Sequence, residues 1–233
     1  MNRVSSHVIE ITPDEIVERP VHKELGFLER ARTTLDPIVA LLIHAGISAD
    51  AVTGTSLALG AFAGILIAGG HFAAAAIAIA LASVGDALDG AIARATRTAN
   101  PSGAIFDAAV DRYEEFFFLA GLVFYFRTDE AKLALVLAAI VGSFMVSYGS
   151  AKAEAARVTV PGGGMRRAGR AISMVVGTAL VPLSSSLVDH GVLPTWSRQA
   201  PIVIALALVA TVANVSAIVR LRAIGRAALE RAQ

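Results

Sequence analysis

Four aspartates stand close together in a strongly apolar part of the sequence: Asp86, Asp89, Asp107 and Asp111. The first two are three residues apart and the last two are four residues apart, so each pair shares one face of a helix. Carboxylates near lipid are costly unless a cation neutralises them. Hard oxygen ligands with no His or Cys beside them select Mg²⁺, Mn²⁺ or Ca²⁺ over zinc. Four negative charges predict two bridged ions, an arrangement that recurs where phosphoryl groups are displaced.

Two glycines and an arginine accompany the aspartates. Gly90 directly follows the second aspartate and Gly103 precedes the third, and either could let a phosphate or a flat ring approach the backbone. Arg94 lies one turn beyond Gly90 and could bind phosphate oxygens through two N–H groups. The competing interpretation is that the aspartates are ordinary interfacial groups, paired with nearby arginines.

We predict that these residues lie on membrane-spanning helices. The chain has 233 residues, 55% of them hydrophobic, and a mean hydropathy of +0.66. Its net charge of +1 argues against nucleic acid as a partner, and the lack of Cys excludes thiolate metal sites. Apolar runs near the ~20 residues that cross a bilayer core recur along the sequence. We predict an all-α membrane protein with six transmembrane helices, at about 52–69, 72–92, 104–126, 131–150, 170–188 and 200–219.

The basic residues predict the orientation of these helices. If the N-terminus is cytoplasmic, Arg127, Lys132 and Arg198 are the only basic residues that fall on the outer side. We therefore predict that both termini are cytoplasmic. In this topology the four aspartates converge near the cytoplasmic face, because the short connector 95–103 makes the second and third spans antiparallel neighbours.

The sequence outside the spans divides into three further parts. Residues 1–21 form a polar tail without the apolar core of a cleavable signal peptide. Residues 22–45 combine charges with apolar residues at helical spacing, which predicts an amphipathic helix in the membrane interface; an ordinary soluble helix is the alternative. The membrane domain then occupies 46–226 and a cytoplasmic tail 227–233.

The pattern D-x₂-D-G-x₂-A-R-x₈-G-x₃-D-x₃-D resembles the motif of the CDP-alcohol phosphotransferases. Two flanking segments look similar to the same family: G-I-S-A-D-A-V-T at 46–53, before the first span, and S-Y-G-S-A-K-A-E at 147–154, at the end of the fourth. The sequence departs from the family where Ala49 and Asp50 replace Pro-Asn and where Ser150 replaces a basic residue. The segment M-R-R-A-G-R at 165–170 also differs from the E-R-x-x-R of inositol-phosphate synthases. All eight fixed positions of the motif are met, by Asp86, Asp89, Gly90, Ala93, Arg94, Gly103, Asp107 and Asp111.

The resemblance implies a metal-dependent transfer of a substituted phosphate from a CDP-linked donor to an alcohol, with release of CMP. It implies that Asp86, Asp89, Asp107 and Asp111 hold two Mg²⁺ or Mn²⁺ ions, and that Asp111 also takes the proton of the attacking hydroxyl. The residues it implies for the donor nucleotide pocket are Thr53, Asp86, Asp89, Gly90, Ala93, Arg94 and Gly103.

A basic cluster at the cytoplasmic mouth predicts an anionic acceptor, such as a sugar- or polyol-phosphate. Its members are Lys152, Arg166, Arg167 and Arg170. The competing interpretation is that these residues only mark topology and contact anionic lipid headgroups.

The resulting functional hypothesis is phospholipid biosynthesis at the cytoplasmic face of a bacterial inner membrane. We expect phosphatidyl transfer from CDP-diacylglycerol to a small polar acceptor, with inositol phosphate or glycerol phosphate favoured. Within the class, the alternative is headgroup transfer from a soluble CDP-alcohol to a lipid or polyol; outside it, a divalent-cation transporter or a silent nucleotide binder. Gly60-x-x-x-Gly64 is a close-packing motif, and we expect a homodimer among membrane lipids.

Overall fold

The predicted all-α class is confirmed by the computed structural model, which describes residues 36–98, 100–159 and 167–231 and contains no strand within these ranges. Residues 36–44 are helical and are called α1; the remainder of the predicted segment 22–45 before residue 36 lies outside the described residues. A short 3₁₀ helix, Thr195–Gln199, precedes the last helix. The longer helices are α2 (Ala49–Ala68), α3 (Phe72–Ala95), α4 (Pro101–Tyr125), α5 (Glu130–Ala155), α6 (Arg167–Asp189) and α7 (Ala200–Glu230).

Side-chain caps explain where three of these helices begin. The hydroxyl of Ser48 accepts a hydrogen bond from the backbone N–H of Ala51 at the start of α2. The carboxylate of Asp129 caps α5 in the same way. At α4, the Asn100 side chain accepts from the Gly103 N–H at 2.8 Å, and Pro101 follows at the first helical position, where its missing N–H costs nothing.

Within the described ranges, five segments are long and apolar enough to cross a membrane: 49–68, 72–95, 130–155, 169–189 and 195–230. Helix α4 has 25 residues and is therefore long enough, but its acidic and basic residues keep it outside this group. Three of those charged residues, Asp111, Glu114 and Glu115, line the cavity described below. The predicted number of six spans thus exceeds this group of five by one helix, α4.

The observed helices extend beyond the predicted spans because a helix need not end where the lipid ends. Helix α7 continues past residue 219 to Glu230, through a segment that contains Arg220, Arg222 and Arg226. Helix α5 likewise continues to Ala155, where Lys152 and Glu154 are exposed. Apolar composition predicts the part of each helix that can lie in a membrane. The i→i−4 backbone hydrogen bonds can continue beyond that part into a polar segment of the same helix.

Glycines allow α2 and α4 to pack closely. A Cβ atom on Gly64 would collide with the carbonyl oxygen of Phe117, and one on Gly121 with the carbonyl oxygen of Gly64. A Cβ on Gly60 would lie 3.2 Å from Cγ of Glu114. The Gly60-x-x-x-Gly64 motif therefore serves contact between two helices of the same chain, as small residues do in membrane helix packing.

Helix α1 packs on the end of α3. Val39 is buried against Leu88 and Ile92, which flank the second aspartate of the motif. Leu42 and Ile43 of α1 and Val52 of α2 pack around this small cluster. The described end of the predicted amphipathic segment thus supports the helix that carries Asp86 and Asp89.

Candidate active site

Three carboxylates from two helices form the acidic cluster. The side-chain oxygens of Asp86 on α3 and of Asp111 and Glu114 on α4 lie within 4.8 Å of one another. Asp111 is buried, and Asp86 and Glu114 are half-buried. Asp111 and Glu114 are three residues apart, which places both on the same side of α4. Glu114 was not predicted; its only sequence signal is this spacing from Asp111.

Asp89 occupies a separate, buried position beside α2. The hydroxyl of Thr53 donates a hydrogen bond to Oδ2 of Asp89 at 2.6 Å, and both residues are buried. Asp107, near the start of α4, is exposed. The four predicted aspartates therefore lie at the same end of α3 and α4, with Asp86 and Asp111 in the acidic cluster and the other two beside it.

The remaining residues predicted for the nucleotide lie around this end of α3. Nη1 of Arg94 lies 3.2 Å from the position that a Cβ atom on Gly90 would take, so the glycine leaves room for the guanidinium to fold back. Ala93 is half-buried, and Arg94 and Gly103 are exposed. The Gly103 N–H is already used by the Asn100 cap, which gives this glycine a structural role at the start of α4.

A cavity of about 810 Å³ lies beside the acidic cluster, between α3, α4 and α6. Its walls are mainly apolar and include Ile79, Phe118 and Met174. Its polar lining consists chiefly of Asp86, Asp111, Glu114, Glu115 and Arg170. The volume is within the range of small-molecule sites, and the combination of apolar walls with a few convergent polar groups is typical of them.

A second carboxylate that was not predicted, Glu115, binds two arginines. Arg170 donates to it from Nε at 2.9 Å and from Nη2 at 3.2 Å, which joins α6 to α4. Arg112 donates to the same carboxylate from Nη1 at 3.0 Å and also contacts the hydroxyl of Ser147 on α5. The Arg170 side chain is only 3% exposed. This Arg112–Glu115–Arg170 triad therefore connects α4 to α6, and the contact of Arg112 with Ser147 adds α5.

Of the predicted acceptor residues, Arg170 lines the cavity and Lys152 does not. Lys152 is exposed, and its Nζ lies 5.7 Å from the centre of the Tyr148 ring. Arg166 and the side chain of Arg167 lie outside the described residues. Sequence spacing alone could not separate Arg170 from Lys152, because the difference depends on which helix faces the cavity.

The acidic cluster fits a hard divalent cation. Its donors are all carboxylate oxygens, the ligands that Mg²⁺ and Mn²⁺ accept in proteins. Two oxygens on opposite sides of one Mg²⁺ lie ~4.2 Å apart. The cluster, with separations up to 4.8 Å, is thus already close to the size of one coordination sphere.

Fold and site together define a class: a helical membrane protein in which a carboxylate cluster adjoins a largely apolar cavity. The family described as CDP-alcohol phosphatidyltransferase matches residues 47–213. The chain belongs to this family, and the resemblance inferred from the aspartate motif is confirmed.

Two characterised groups of relatives are represented among the most similar sequences. The chain is 33% identical over 156 residues to the bifunctional IPC transferase and DIPP synthase of Rubrobacter xylanophilus, covering 65% of this chain and 36% of that protein. It is 33% identical over 146 residues to the phosphatidylinositol phosphate synthase of Mycobacteroides abscessus, covering 61% and 66%. The chain thus spans less than two thirds of the length of either relative.

Solved structures give the same fold. The phosphatidylinositol phosphate synthase of Mycobacterium tuberculosis with CDP-DAG bound matches with a TM-score of 0.70 and 24% identity, over 81% of this chain and 92% of that one. The same protein in complex with manganese and citrate matches with a TM-score of 0.69 and 24% identity, over 81% and 87%. At 24% identity, this structural similarity establishes the fold of the chain and nothing further.

Proposed function

We propose that the chain transfers a phosphatidyl group from CDP-diacylglycerol to the hydroxyl of a small polar acceptor and releases CMP. Inositol phosphate is the favoured acceptor, and glycerol phosphate is the next. The proposal draws on the family, on relatives that are phosphatidylinositol phosphate synthases, and on a related structure that contains CDP-DAG. The observation that carries it is the acidic cluster at the side of a largely apolar cavity.

The cavity suits a donor that is half lipid and half nucleotide. Its apolar lining, including Val176 and Val209, is compatible with acyl chains, while the carboxylates could hold the divalent cations that a pyrophosphate needs as counter-charge. A hydrophobic wall keeps water away from the reacting phosphorus, which favours transfer to the acceptor over hydrolysis. The nucleotide would lie at the end of α3, near Thr53, Asp86, Asp89, Gly90, Ala93, Arg94 and Gly103.

Asp111 is the proposed general base. It removes the proton from the acceptor hydroxyl while the acceptor oxygen bonds to the phosphatidyl phosphorus and the bond from that phosphorus to the CMP oxygen breaks. Two Mg²⁺ or Mn²⁺ ions, when bound, would offset the charge on the pyrophosphate and on the departing CMP. The proposed ligands are Asp86, Asp89, Asp107 and Asp111, to which the geometry of the acidic cluster adds Glu114.

The acceptor site is proposed on the α6 side of the cavity. Arg170 contributes a buried guanidinium there, which suits a phosphate on the acceptor. Arg166 and Arg167 precede it in the sequence and are retained as candidate contacts, whereas Lys152 would act only from outside the cavity.

The proposed membrane arrangement counts α4 as the sixth span, with both termini cytoplasmic. Support comes from its 25-residue length and from its charged residues, because Asp111, Glu114 and Glu115 line the cavity. Segment 22–45 would lie in the interface, 46–226 would form the membrane domain, and 1–21 and 227–233 would be polar tails. The proposed location is the inner membrane of a bacterium, with the active site facing the cytoplasm. The proposed oligomeric state is a homodimer.

The experiment that tests this function is an acceptor panel. Purified protein would be incubated with CDP-diacylglycerol, Mn²⁺ and, separately, inositol phosphate, glycerol phosphate, inositol or serine, and CMP release would be measured. We expect release with inositol phosphate and none after Asp86→Asn. A soluble CDP-alcohol with a lipid acceptor tests the headgroup-transfer alternative. Absence of CMP release with every acceptor would refute the proposed transferase.

A further inference from the structure

Glu115 lies between two guanidinium groups at the cavity wall. It accepts two hydrogen bonds from Arg170 and one from Arg112, and its own side chain is only 18% exposed. Two arginines and one glutamate give the triad a formal charge of +1. Two members of the triad, Glu115 and Arg170, line the same cavity as the acidic cluster.

The buried guanidinium of Arg170 needs this carboxylate. A charge with 3% exposure is strongly destabilising unless it is paired and hydrogen-bonded. The two hydrogen bonds that Arg170 donates to Glu115 supply that partner. The other carboxylates that line this cavity are Asp86, Asp111 and Glu114.

Glu115 also fixes which part of Arg170 stays available. Nε and Nη2 of Arg170 are engaged by the two carboxylate oxygens. Nη1 makes no hydrogen bond to any residue that the structure describes with its side chain. Because the guanidinium is planar and held at two points, the direction of Nη1 is fixed as well.

We propose that Glu115 is a positioning residue: it orients Arg170 so that Nη1 meets a phosphate group on the acceptor. This inference rests on the proposed transfer to a phosphorylated acceptor. It adds Glu115 as the residue that orients Arg170 toward the acceptor phosphate. Arg112, one turn before Glu115 on α4, donates a hydrogen bond to the Glu115 carboxylate and also contacts Ser147 on α5. Acceptor recognition would then depend on a carboxylate that never touches the acceptor.

The test is a double-mutant cycle read out as KM values. CDP-diacylglycerol and inositol phosphate would be varied in turn at saturating Mn²⁺, for wild type, Glu115→Gln, Arg170→Gln and the double variant. We expect Glu115→Gln to raise the acceptor KM about tenfold or more, as for loss of a charge-assisted hydrogen bond, with the donor KM within about twofold. In the Arg170→Gln background the same change should have almost no further effect, because Glu115 acts through that arginine.

A matched control separates this role from general loss of an ion pair. Asp189→Asn breaks the exposed Arg198–Asp189 pair, whose atoms are 2.6 Å apart and lie away from the cavity, and should leave both KM values unchanged. Folding of each variant would be checked by size exclusion and thermal unfolding. If Glu115→Gln does not fold, Glu115→Asp keeps the charge but shortens its reach, and we expect a raised acceptor KM there too.

The outcomes distinguish this inference from the proposed function. A wild-type protein that transfers to no acceptor refutes the function itself. An active wild type with an unchanged acceptor KM in the folded Glu115 variant refutes the positioning role alone. Independent, multiplicative effects of the two substitutions on the acceptor KM would also refute it, because Glu115 would then act without Arg170.

Discussion

At the scale of residues, the acidic cluster joins three carboxylates from two helices, with one oxygen of each within 4.8 Å of the others. The i,i+3 and i,i+4 spacings predict that four aspartates converge, and the cluster contains two of them, Asp86 and Asp111. Glu114 escapes prediction because no motif includes it, and its position depends on α2. The missing side chain of Gly60 leaves just enough room for Glu114 Cγ, since a Cβ there would be 3.2 Å away. Helix packing therefore completes the cluster.

Glu114→Gln should weaken the binding of Mn²⁺ because it removes one of the three clustered carboxylates. We expect the Kd for Mn²⁺, measured by calorimetry on the purified protein without substrates, to rise about tenfold. Glu230→Gln, at the exposed end of α7, is the matched control and should leave the Kd unchanged. An unaltered Kd for Glu114→Gln would remove this residue from the proposed ligand set.

At the scale of elements, apolar runs predict the helices well and their ends less well. The predicted third span, 104–126, becomes α4 at Pro101–Tyr125, because Asn100 and Pro101 start the helix before the apolar run begins. Predicted bounds followed hydropathy, whereas the observed ones follow caps and backbone hydrogen bonds. The G-x-x-x-G motif was visible in the sequence, but its partner, Gly121 on α4, could only be found from the packing of α2 on α4.

Gly64→Ala should destabilise the protein because its Cβ would meet the backbone of Phe117, which cannot move aside like a flexible side chain. Overpacking of this kind costs about 1–3 kcal/mol. Gly54 on the same helix offers the control: it is exposed, and nothing lies within 4 Å of its would-be Cβ, so Gly54→Ala should be neutral or slightly stabilising. Thermal unfolding in detergent measures both. Equal melting temperatures for the two variants would contradict the close α2–α4 contact.

At the scale of the whole molecule, the sequence predicts a membrane-embedded, metal-binding helical protein but not the arrangement around its acceptor site. The family motif is local, so it places the aspartates on α3 and α4 without information about α6. The pairing of Glu115 with Arg170 joins residues that are 55 apart in the sequence, and neither spacing nor composition reveals such a contact. For the same reason the sequence predicts Lys152 and Arg170 equally as acceptor-binding residues, although only Arg170, on α6, lines the cavity.

The proposed topology can be tested directly because the chain contains no Cys. Single substitutions Ala228→Cys, at the exposed end of α7, and His190→Cys, at the exposed end of α6, should be labelled from opposite sides of the membrane. We expect a membrane-impermeant maleimide added to whole cells to label position 190 and to reach position 228 only after the cells are opened. The reverse pattern would invert the proposed orientation.

The central claim is that a metal-binding carboxylate site carries out phosphatidyl transfer, with Asp111 as the base. Turnover of Asp111→Asn, compared with wild type at saturating Mn²⁺, CDP-diacylglycerol and inositol phosphate, tests it most directly. We expect that the variant still binds the donor, while CMP release falls by about 10²–10⁴-fold, the contribution of a positioned general base. Wild-type turnover in Asp111→Asn would contradict the account.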